Sequence, residues 1–147
     1  MVRRQSRSKG PPKGQKLYIN LPVKDIGRSR EFFTKLGYRF DDQFPDENMA
    51  HLVIGEDSLV LLVAEGTFRT FTPKDVSDAS VSTEVVMTLS AESREEVDGL
   101  VRRAVEAGAR VPEGKMDAPT FYARGFEDPD GHLWSVVWAD PGAGKKG

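Results

Sequence analysis

Two stretches of the chain repeat one order of hydrophobic and polar positions. Apolar residues alternate with other residues along 17–23, and this period of two predicts a β-strand. A helix is predicted next, because Asp25 can accept hydrogen bonds from its first free backbone N–H groups and Gly37 suits its C-terminal end. Three short strands are then predicted at residues 38–43, 49–54 and 59–64.

The second stretch begins where alternation returns, along residues 84–90. A helix is predicted at 92–107, which Ser90 or Ser93 can cap and Gly108 ends. Its apolar stripe has the spacing of one helical face and consists of Val97, Leu100, Val101, Ala104 and Val105. Strands are predicted at 110–112, 120–127 and 133–138, with a tight turn at Asp128-Pro129-Asp130-Gly131 before the last one.

The repeated order predicts an α+β fold of two βαβββ modules, at about 17–65 and 84–139, in one domain spanning 17–140. We expect the eight strands to form an incomplete barrel-like cup with the helices outside. The strand faces turned away from the helices would line the cup. Residues 66–83 are a linker without a clear period, in which Phe68 and Phe71 either fold over an apolar ligand or plug the core.

The composition fits one globular domain. Hydrophobic residues make up 38% and charged residues 30% of the 147 residues, which is enough apolar material for a core. No apolar run approaches the roughly 20 residues that cross a bilayer, so we expect no membrane contact. The chain has no cysteine, which excludes a disulfide framework, a thiolate metal site and a cysteine nucleophile. We therefore expect a cytoplasmic protein.

Both ends of the chain are predicted to be disordered tails, at 1–16 and 141–147. The first tail contains only basic charges, namely Arg3, Arg4, Arg7, Lys9, Lys13 and Lys16. Such an arm on an acidic body can contact nucleic acid or anionic lipid. It has no aromatic residue to stack on bases, so a solvated tail is the favoured interpretation and nucleic acid the alternative.

Two motifs resemble the vicinal-oxygen-chelate superfamily, which contains glyoxalase I, extradiol dioxygenases, fosfomycin-modifying enzymes and bleomycin-binding proteins. The opening motif is Asn20-Leu21-Pro22-Val23-Lys24-Asp25, followed by Phe32-Phe33 and Leu36-Gly37-Tyr38. The closing motif is Asp128-Pro129-Asp130-Gly131-His132-Leu133-Trp134. The resemblance covers residues 17–139 and is closest to glyoxalase-related proteins. It implies the cup fold and a homodimer, since such halves often pair between chains, but neither motif is specific for a reaction.

The resemblance also implies positions for a divalent metal, which takes both substrate oxygens and acts as a Lewis acid. The first-strand histidine of the family falls on Tyr18, the fourth-strand ligand on Leu61 or Leu62, and the closing glutamate on Ser135. The fifth-strand ligand falls on Glu84 in an alignment without a gap. Neutral Tyr and Ser are poor ligands and Leu is none. We therefore expect no cofactor, with a divalent metal on Glu84 and His51 as the alternative.

Strand parity gives the remaining candidate site residues. Glu84 is the carboxylate expected inside the cup, where it would act as a catalytic base or accept a hydrogen bond from a cationic ligand. Arg124 would hold an anionic group or pair with Glu84. Trp134 and Trp138 have the opposite parity to Ser135 and are expected in the core. The predicted ligand-binding residues are Tyr18, Asn20, His51, Thr88, Tyr122, Arg124, Ser135, Phe68 and Phe71.

The sequence thus leads to three hypotheses. The first is a metal-free protein that binds a small organic molecule in a cup with a few convergent polar groups, as a resistance or sensor protein. The second is a metal-dependent lyase or dioxygenase of glyoxalase type. The third is a nucleic-acid-associated protein that uses the basic arm.

Overall fold

The computed structural model describes residues 10, 12–43 and 46–142. The first module contains strands β1 to β4 and helix α1, and the second contains β5 to β8 and helix α3. A short helix α2 lies between them. In chain order these elements are β1 Leu17–Val23, α1 Ile26–Lys35, β2 Arg39–Phe40, β3 Met49–Gly55, β4 Ser58–Ala64, α2 Glu65–Phe68, β5 Val86–Ser90, α3 Arg94–Glu106, β6 Met116–Ala118, β7 Phe121–Glu127 and β8 Leu133–Ala139.

Helices α1 and α3 begin where the sequence offers a capping side chain. Asp25 accepts a hydrogen bond from the Arg28 backbone N–H at 3.0 Å, and Ser93 accepts one from the Glu96 N–H at 3.1 Å. Of the two serines proposed for the second helix, Ser93 is therefore the cap. Gly37 and Gly108 follow the two helices with φ of 104° and 101°, a conformation that glycine adopts without steric cost.

Each module forms a four-stranded mixed sheet. Sheet A has the strand order β1-β4-β3-β2 and sheet B the order β5-β8-β7-β6. The first and last strands of each module pair in parallel, and the other pairs are antiparallel. The predicted α+β class and the two-module cup architecture are confirmed, and the two sheets do not close into a barrel.

Three local predictions were wrong. The strand predicted at 110–112 is a single bridge from Arg110 to Glu127, and β6 lies instead at Met116–Ala118. The linker, for which the sequence indicates no element, begins within α2 and continues into a 3-10 turn at Arg69–Phe71. The strand predicted from residue 84 begins at Val86. Val105 is 49% exposed because the helix face that meets sheet B is narrower than the apolar stripe.

One core joins both modules. Phe33 of α1 packs on Trp134 of β8 with ring centroids 5.1 Å apart, and Phe32 lies 6.1 Å from Phe126 of β7. Alternate residues of both sheets contribute to the same buried cluster, including Leu52 and Leu62 of sheet A. Trp134 is fully buried and Trp138 packs against the cluster, as expected from parity. The opposite faces of the two sheets, here called the outer faces, are therefore turned away from this core.

None of the helices in the described part of the chain has the length and hydropathy that a membrane-spanning segment needs. The disorder predicted at 1–16 and 141–147 falls largely on residues 1–9, 11 and 143–147, which lie outside the described residues. It stays a prediction.

Candidate functional site

A cavity of about 420 Å³ lies beneath the linker. Its floor is formed by the second half of β1 and by the start of β8, and its roof by the linker. Apolar lining comes from both modules, for example from Ile19 and Leu133. Three of the residues predicted from the sequence meet here, namely Asn20, Phe68 and Glu84.

The turn between β7 and β8 fixes one end of this cavity. The Nε2 of His132 lies 2.7 Å from the Pro22 carbonyl oxygen. Because a carbonyl oxygen only accepts, Nε2 carries the proton and the ring donates. The Asp130 carboxylate accepts from the Lys24 N–H at 2.8 Å and from the Arg28 guanidinium at 3.2 Å. The turn thus ties the second module to the first module at the rim of the cavity.

Asp128 holds the turn in shape. Its carboxylate accepts hydrogen bonds, each 3.0 Å long, from the Asp130 and His132 backbone N–H groups and from the Trp134 indole Nε1. Burial raises the pKa of Asp128, against the smaller lowering effects of His132 and of these hydrogen bonds. The acidic residue that opens the closing motif therefore has a structural task, and it shapes the cavity without lining it.

The outer face of sheet A carries Asn20 and two further predicted residues, Tyr18 and His51, in neighbouring rows. Asn20, Leu61 and His51 lie side by side across β1, β4 and β3, while Tyr18, Leu59 and Val53 form the next row. His51 borders a separate pocket of about 330 Å³ whose lining includes Asp41 and Glu47. Tyr18 is 53% exposed. Tyr18 and His51 share a sheet face with Asn20 but do not line the cavity beneath the linker.

The outer face of sheet B carries Thr88 and Ser135. These two residues are register partners across β5 and β8, and Gly125 of β7 completes their row. Thr88 is exposed and Ser135 half-buried. Neither residue lines the cavity beneath the linker or the pocket that His51 borders.

The prediction that Tyr122 and Arg124 face the cup was wrong. Tyr122 belongs to the core and its hydroxyl donates to the Asp98 carboxylate of α3 at 2.6 Å, while Arg124 donates to the same oxygen at 3.0 Å. The hydrogen bond from Tyr122 is the main cause that lowers the pKa of Asp98. Phe126 lies on the same face of β7 as Tyr122 and Arg124 and is fully buried. This apolar residue was the signal in the sequence that the face packs against a helix.

Glu84 does not occupy the strand position expected from the ungapped alignment. Counting back from the two helix caps, Asp25 and Ser93, Val86 rather than Glu84 is the residue equivalent to Tyr18. Glu84 is exposed and precedes β5, and it reaches the cavity as part of the linker end. Its role as a base or as a hydrogen-bond acceptor stays a prediction.

The residues present do not fit the family's divalent metal. Its four positions hold Tyr18, Leu61, Val86 and Ser135, which contain no carboxylate and no imidazole. Among the described residues no group of three or more His, Cys, Asp or Glu side chains is placed to hold a metal ion. His51 and Glu84, the atypical pair considered from the sequence, line two different cavities.

The two predicted linker phenylalanines have different environments. Phe68 lines the cavity, whereas Phe71 is 51% exposed and lies 5.9 Å from Phe68 between ring centroids. Sequence reasoning missed the rest of the roof, because residues 72–83 have no periodicity that reveals which side chains turn inward. His132 also lines the cavity and was not among the predicted site residues.

A family model described as "Bleomycin resistance protein-like N-terminal" matches residues 15–55. No curated protein matches the chain. Among solved structures, the hypothetical protein SA1046 from S. aureus is 29% identical, with 85% of this chain and 94% of that chain covered and a TM-score of 0.75. The match therefore extends over both modules.

Two further structures show the same fold at lower identity. A glyoxalase/bleomycin resistance protein/dioxygenase family enzyme from Burkholderia phytofirmans PsJN is 17% identical, with coverages of 83% of this chain and 96% of that one and a TM-score of 0.68. TnmS3, an antibiotic binding protein from Streptomyces sp. CB03234, is 20% identical, with coverages of 85% and 95% and a TM-score of 0.59.

Proposed function

We propose that this chain, a protein of the vicinal-oxygen-chelate superfamily, binds a small organic molecule in the cavity beneath its linker without the family's metal. The family model, which matches residues 15–55, supports the superfamily predicted from the opening and closing motifs, and the structural neighbours show the same fold. The proposed role is that of a cytoplasmic binding or resistance-type protein. The observation that carries it is the cavity of about 420 Å³ with mixed lining.

The size and chemistry of the cavity support this proposal. Small-molecule sites in proteins commonly measure about 300 to 1,000 Å³ and combine apolar walls with a few polar groups. Here Phe68 and Leu133 supply apolar surface, while Asn20 and Glu84 supply an amide and a carboxylate. A ligand with an apolar ring and a hydrogen-bond donor or cationic group matches these walls.

The antibiotic-binding neighbour is the comparison that bears on this role. TnmS3 is an antibiotic binding protein with this fold, and the family model is named for bleomycin resistance. Antibiotics are therefore the first compounds to test. The metal-dependent lyase or dioxygenase of glyoxalase type is the weaker hypothesis, because the four family metal positions offer no carboxylate and no imidazole.

A homodimer is part of the proposal. The outer face of sheet A exposes Tyr18 and leaves Leu59 and Leu61 half-buried, although they are apolar. The outer face of sheet B likewise exposes Val86. If sheet A of one copy covers sheet B of another, Tyr18 and His51 of the first copy come to face Thr88 and Ser135 of the second. Such pairing would also remove apolar surface from water.

A thermal-shift screen tests ligand binding, with metal-free bleomycin and a panel of aromatic antibiotics as probes. A ligand at 100 times its Kd adds about 2.7 kcal/mol, which for a chain of this size raises Tm by roughly 5 to 10 °C. We expect Phe68→Ala and Glu84→Gln to reduce the shift of any stabilising compound, whereas Phe71→Ala, on the exposed neighbour, leaves it unchanged. No shift with any compound, or equal effects of all three variants, would refute the proposal.

Titration calorimetry with Ni, Mn, Zn and Fe(II) tests the absence of the family's metal. We expect no stoichiometric binding. One metal ion per chain bound at micromolar affinity or better, and lost in His51→Ala or Glu84→Gln, would favour the metal-dependent alternative.

Sedimentation velocity tests the homodimer. Leu61→Lys places a charge at the centre of the outer face of sheet A and is expected to yield monomers, whereas Glu106→Lys at the exposed end of α3 leaves the dimer intact. A wild-type chain that stays monomeric at high micromolar concentration would contradict the dimer.

Salt-dependent DNA binding that is lost on removal of residues 1–15 would instead support the nucleic-acid alternative, which concerns residues largely outside the described ones.

A further inference from the structure

Residues 72–83 are the part of the linker that forms the roof of the cavity, and they differ from the rest of the domain in their hydrogen bonding. In the described part of the chain, the hydrogen bonds that these residues form end within the linker itself. The Lys74 N–H donates to Thr72 Oγ1 at 3.0 Å, and the Val81 and Ser82 N–H groups donate to the Asp78 carbonyl oxygen at 3.1 and 3.2 Å. Ser80 donates twice to the Asp78 carboxylate. The segment therefore holds its own shape without hydrogen bonds to either sheet.

The backbone of this segment packs closely on Gly131, in the turn between β7 and β8. A Cβ atom built on Gly131 would lie 2.8 Å from Ser80 Cα and 2.9 Å from the Ala79 carbonyl oxygen. Real Cβ atoms do not approach backbone atoms so closely, so the linker backbone packs here on a site that only glycine leaves open. The contact is one of packing alone.

The two sides of this contact differ in rigidity. The turn is held by the Asp128 carboxylate, by the Gly131 N–H bond to the Asp128 carbonyl oxygen at 2.9 Å, and by the contacts of Asp130 and His132 with the first module. Residues 72–83, by contrast, have hydrogen bonds only among themselves in the described part of the chain, and they meet the turn through this packing contact. Local opening follows the weakest attachments, so the linker gives way before the turn does.

We infer that residues 72–83 are a lid that opens as a unit to admit the ligand, with Gly131 as the surface on which it closes. This inference rests on the proposed binding function of the cavity, which gives the opening a purpose. Because the lid keeps its internal hydrogen bonds on opening, it has little backbone structure to lose. Opening then costs far less than unfolding the domain.

Thiol labelling can measure this opening directly, because the chain contains no cysteine. Leu21 and Leu62 are register partners on the same face of sheet A, and both are buried, at 4% and 0% exposure. Only Leu21 lines the cavity. We expect a small thiol reagent to modify Leu21→Cys roughly 100-fold faster than Leu62→Cys, since the first needs lid opening and the second global unfolding.

Two glycine variants then identify the lid as the moving part. Gly131→Ala and Gly108→Ala both place alanine at positive φ, 93° and 101°, but nothing lies within 4 Å of a Cβ built on Gly108. We expect Gly131→Ala to raise the labelling rate of Leu21→Cys roughly tenfold more than Gly108→Ala does, because only the first displaces the linker. Circular dichroism and the Leu62→Cys rate in each background monitor folding. If Gly131→Ala does not fold, Asp78→Ala, which loosens the lid at an exposed position, is expected to raise the rate instead.

Equal labelling rates for Leu21→Cys and Leu62→Cys would overturn the lid. Equal effects of the two glycine variants would also overturn it, since the opening would then lie elsewhere, for example in the edge strand β1. The labelling uses no ligand, so failure of the lid and failure of the binding proposal are distinguishable. A lid that opens above a cavity to which no compound binds would refute the binding function alone.

Discussion

Removal of the Asp128 carboxylate is predicted to be among the most destabilising single changes outside the apolar core. Asp128→Ala leaves three hydrogen-bond donors without their acceptor. The Trp134 indole N–H is fully buried, and an unpaired buried donor costs about 1 to 3 kcal/mol. The Asp130 and His132 N–H groups are part-buried and recover some of their loss from water, at about 1 kcal/mol each. The expected loss is therefore about 3 to 5 kcal/mol.

Asp128→Asn separates these contributions. One carboxylate oxygen accepts both backbone N–H groups and the other accepts the indole N–H. An asparagine amide can keep the first role but turns an NH₂ group toward the indole, so we expect a loss of about 1 to 3 kcal/mol. Combining it with Trp134→Phe removes the opposed donor, so the two losses should be less than additive.

Urea unfolding followed by far-ultraviolet circular dichroism measures all of these variants, because this signal does not depend on Trp134. A loss below about 1 kcal/mol for Asp128→Ala would refute the reasoning, since the N–H groups would then find other partners at no cost.

Burial raises the pKa of Asp128 in the folded chain, so the folded state binds this proton more tightly than the unfolded state. The stability of wild type relative to Asp128→Asn should therefore increase as the pH falls toward the ordinary carboxyl pKa, and a decrease would contradict that direction.

Three further predictions concern the packing and polar contacts of α1 and α3. Tyr122→Phe removes the hydrogen bond that lowers the pKa of Asp98, so we expect it to reduce the free energy of unfolding by about 1 kcal/mol at pH 7. This difference should disappear as the pH falls below the ordinary pKa of aspartate, where Asp98 becomes protonated. A difference in urea unfolding that does not change with pH would contradict this. Phe33→Ala leaves a cavity against Trp134 and should cost about 3 to 5 kcal/mol, against less than about 1 kcal/mol for the exposed Phe71→Ala. Ser93→Ala removes the cap of α3 and should cost about 1 kcal/mol, which an unchanged urea midpoint would rule out.

The sequence by itself determined the module architecture, because each part of it depends on local chemistry. Alternation placed β1 at residues 17–23, and Asp25 and Ser93 can cap helices regardless of what those helices pack against. Gly37 and Gly108 end the helices because they tolerate positive φ. The same local chemistry allowed the closing turn to be predicted, although not the burial of Asp128 beneath it.

Strand parity separates two faces of a strand but does not say which of them meets a helix. The prediction that Tyr122 and Arg124 share one face was therefore correct, but that face lies on the other side of the sheet from the one expected. It meets α3, where Asp98 accepts a hydrogen bond from each of the two side chains. The position predicted for Glu84 depended on an alignment without a gap. The structure shows that this alignment is wrong, because β5 begins at Val86 and Glu84 precedes it.

Only the tertiary structure decided which predicted residues share a site. Asn20, Phe68 and Glu84 come from a strand, a short helix and an irregular segment, and the linker brings them around one cavity. His51, Thr88 and Ser135 have the same outward parity, yet none of them lines this cavity. Parity and capping act over a few residues, whereas the position of a site depends on contacts between segments far apart in the chain, which no local pattern encodes.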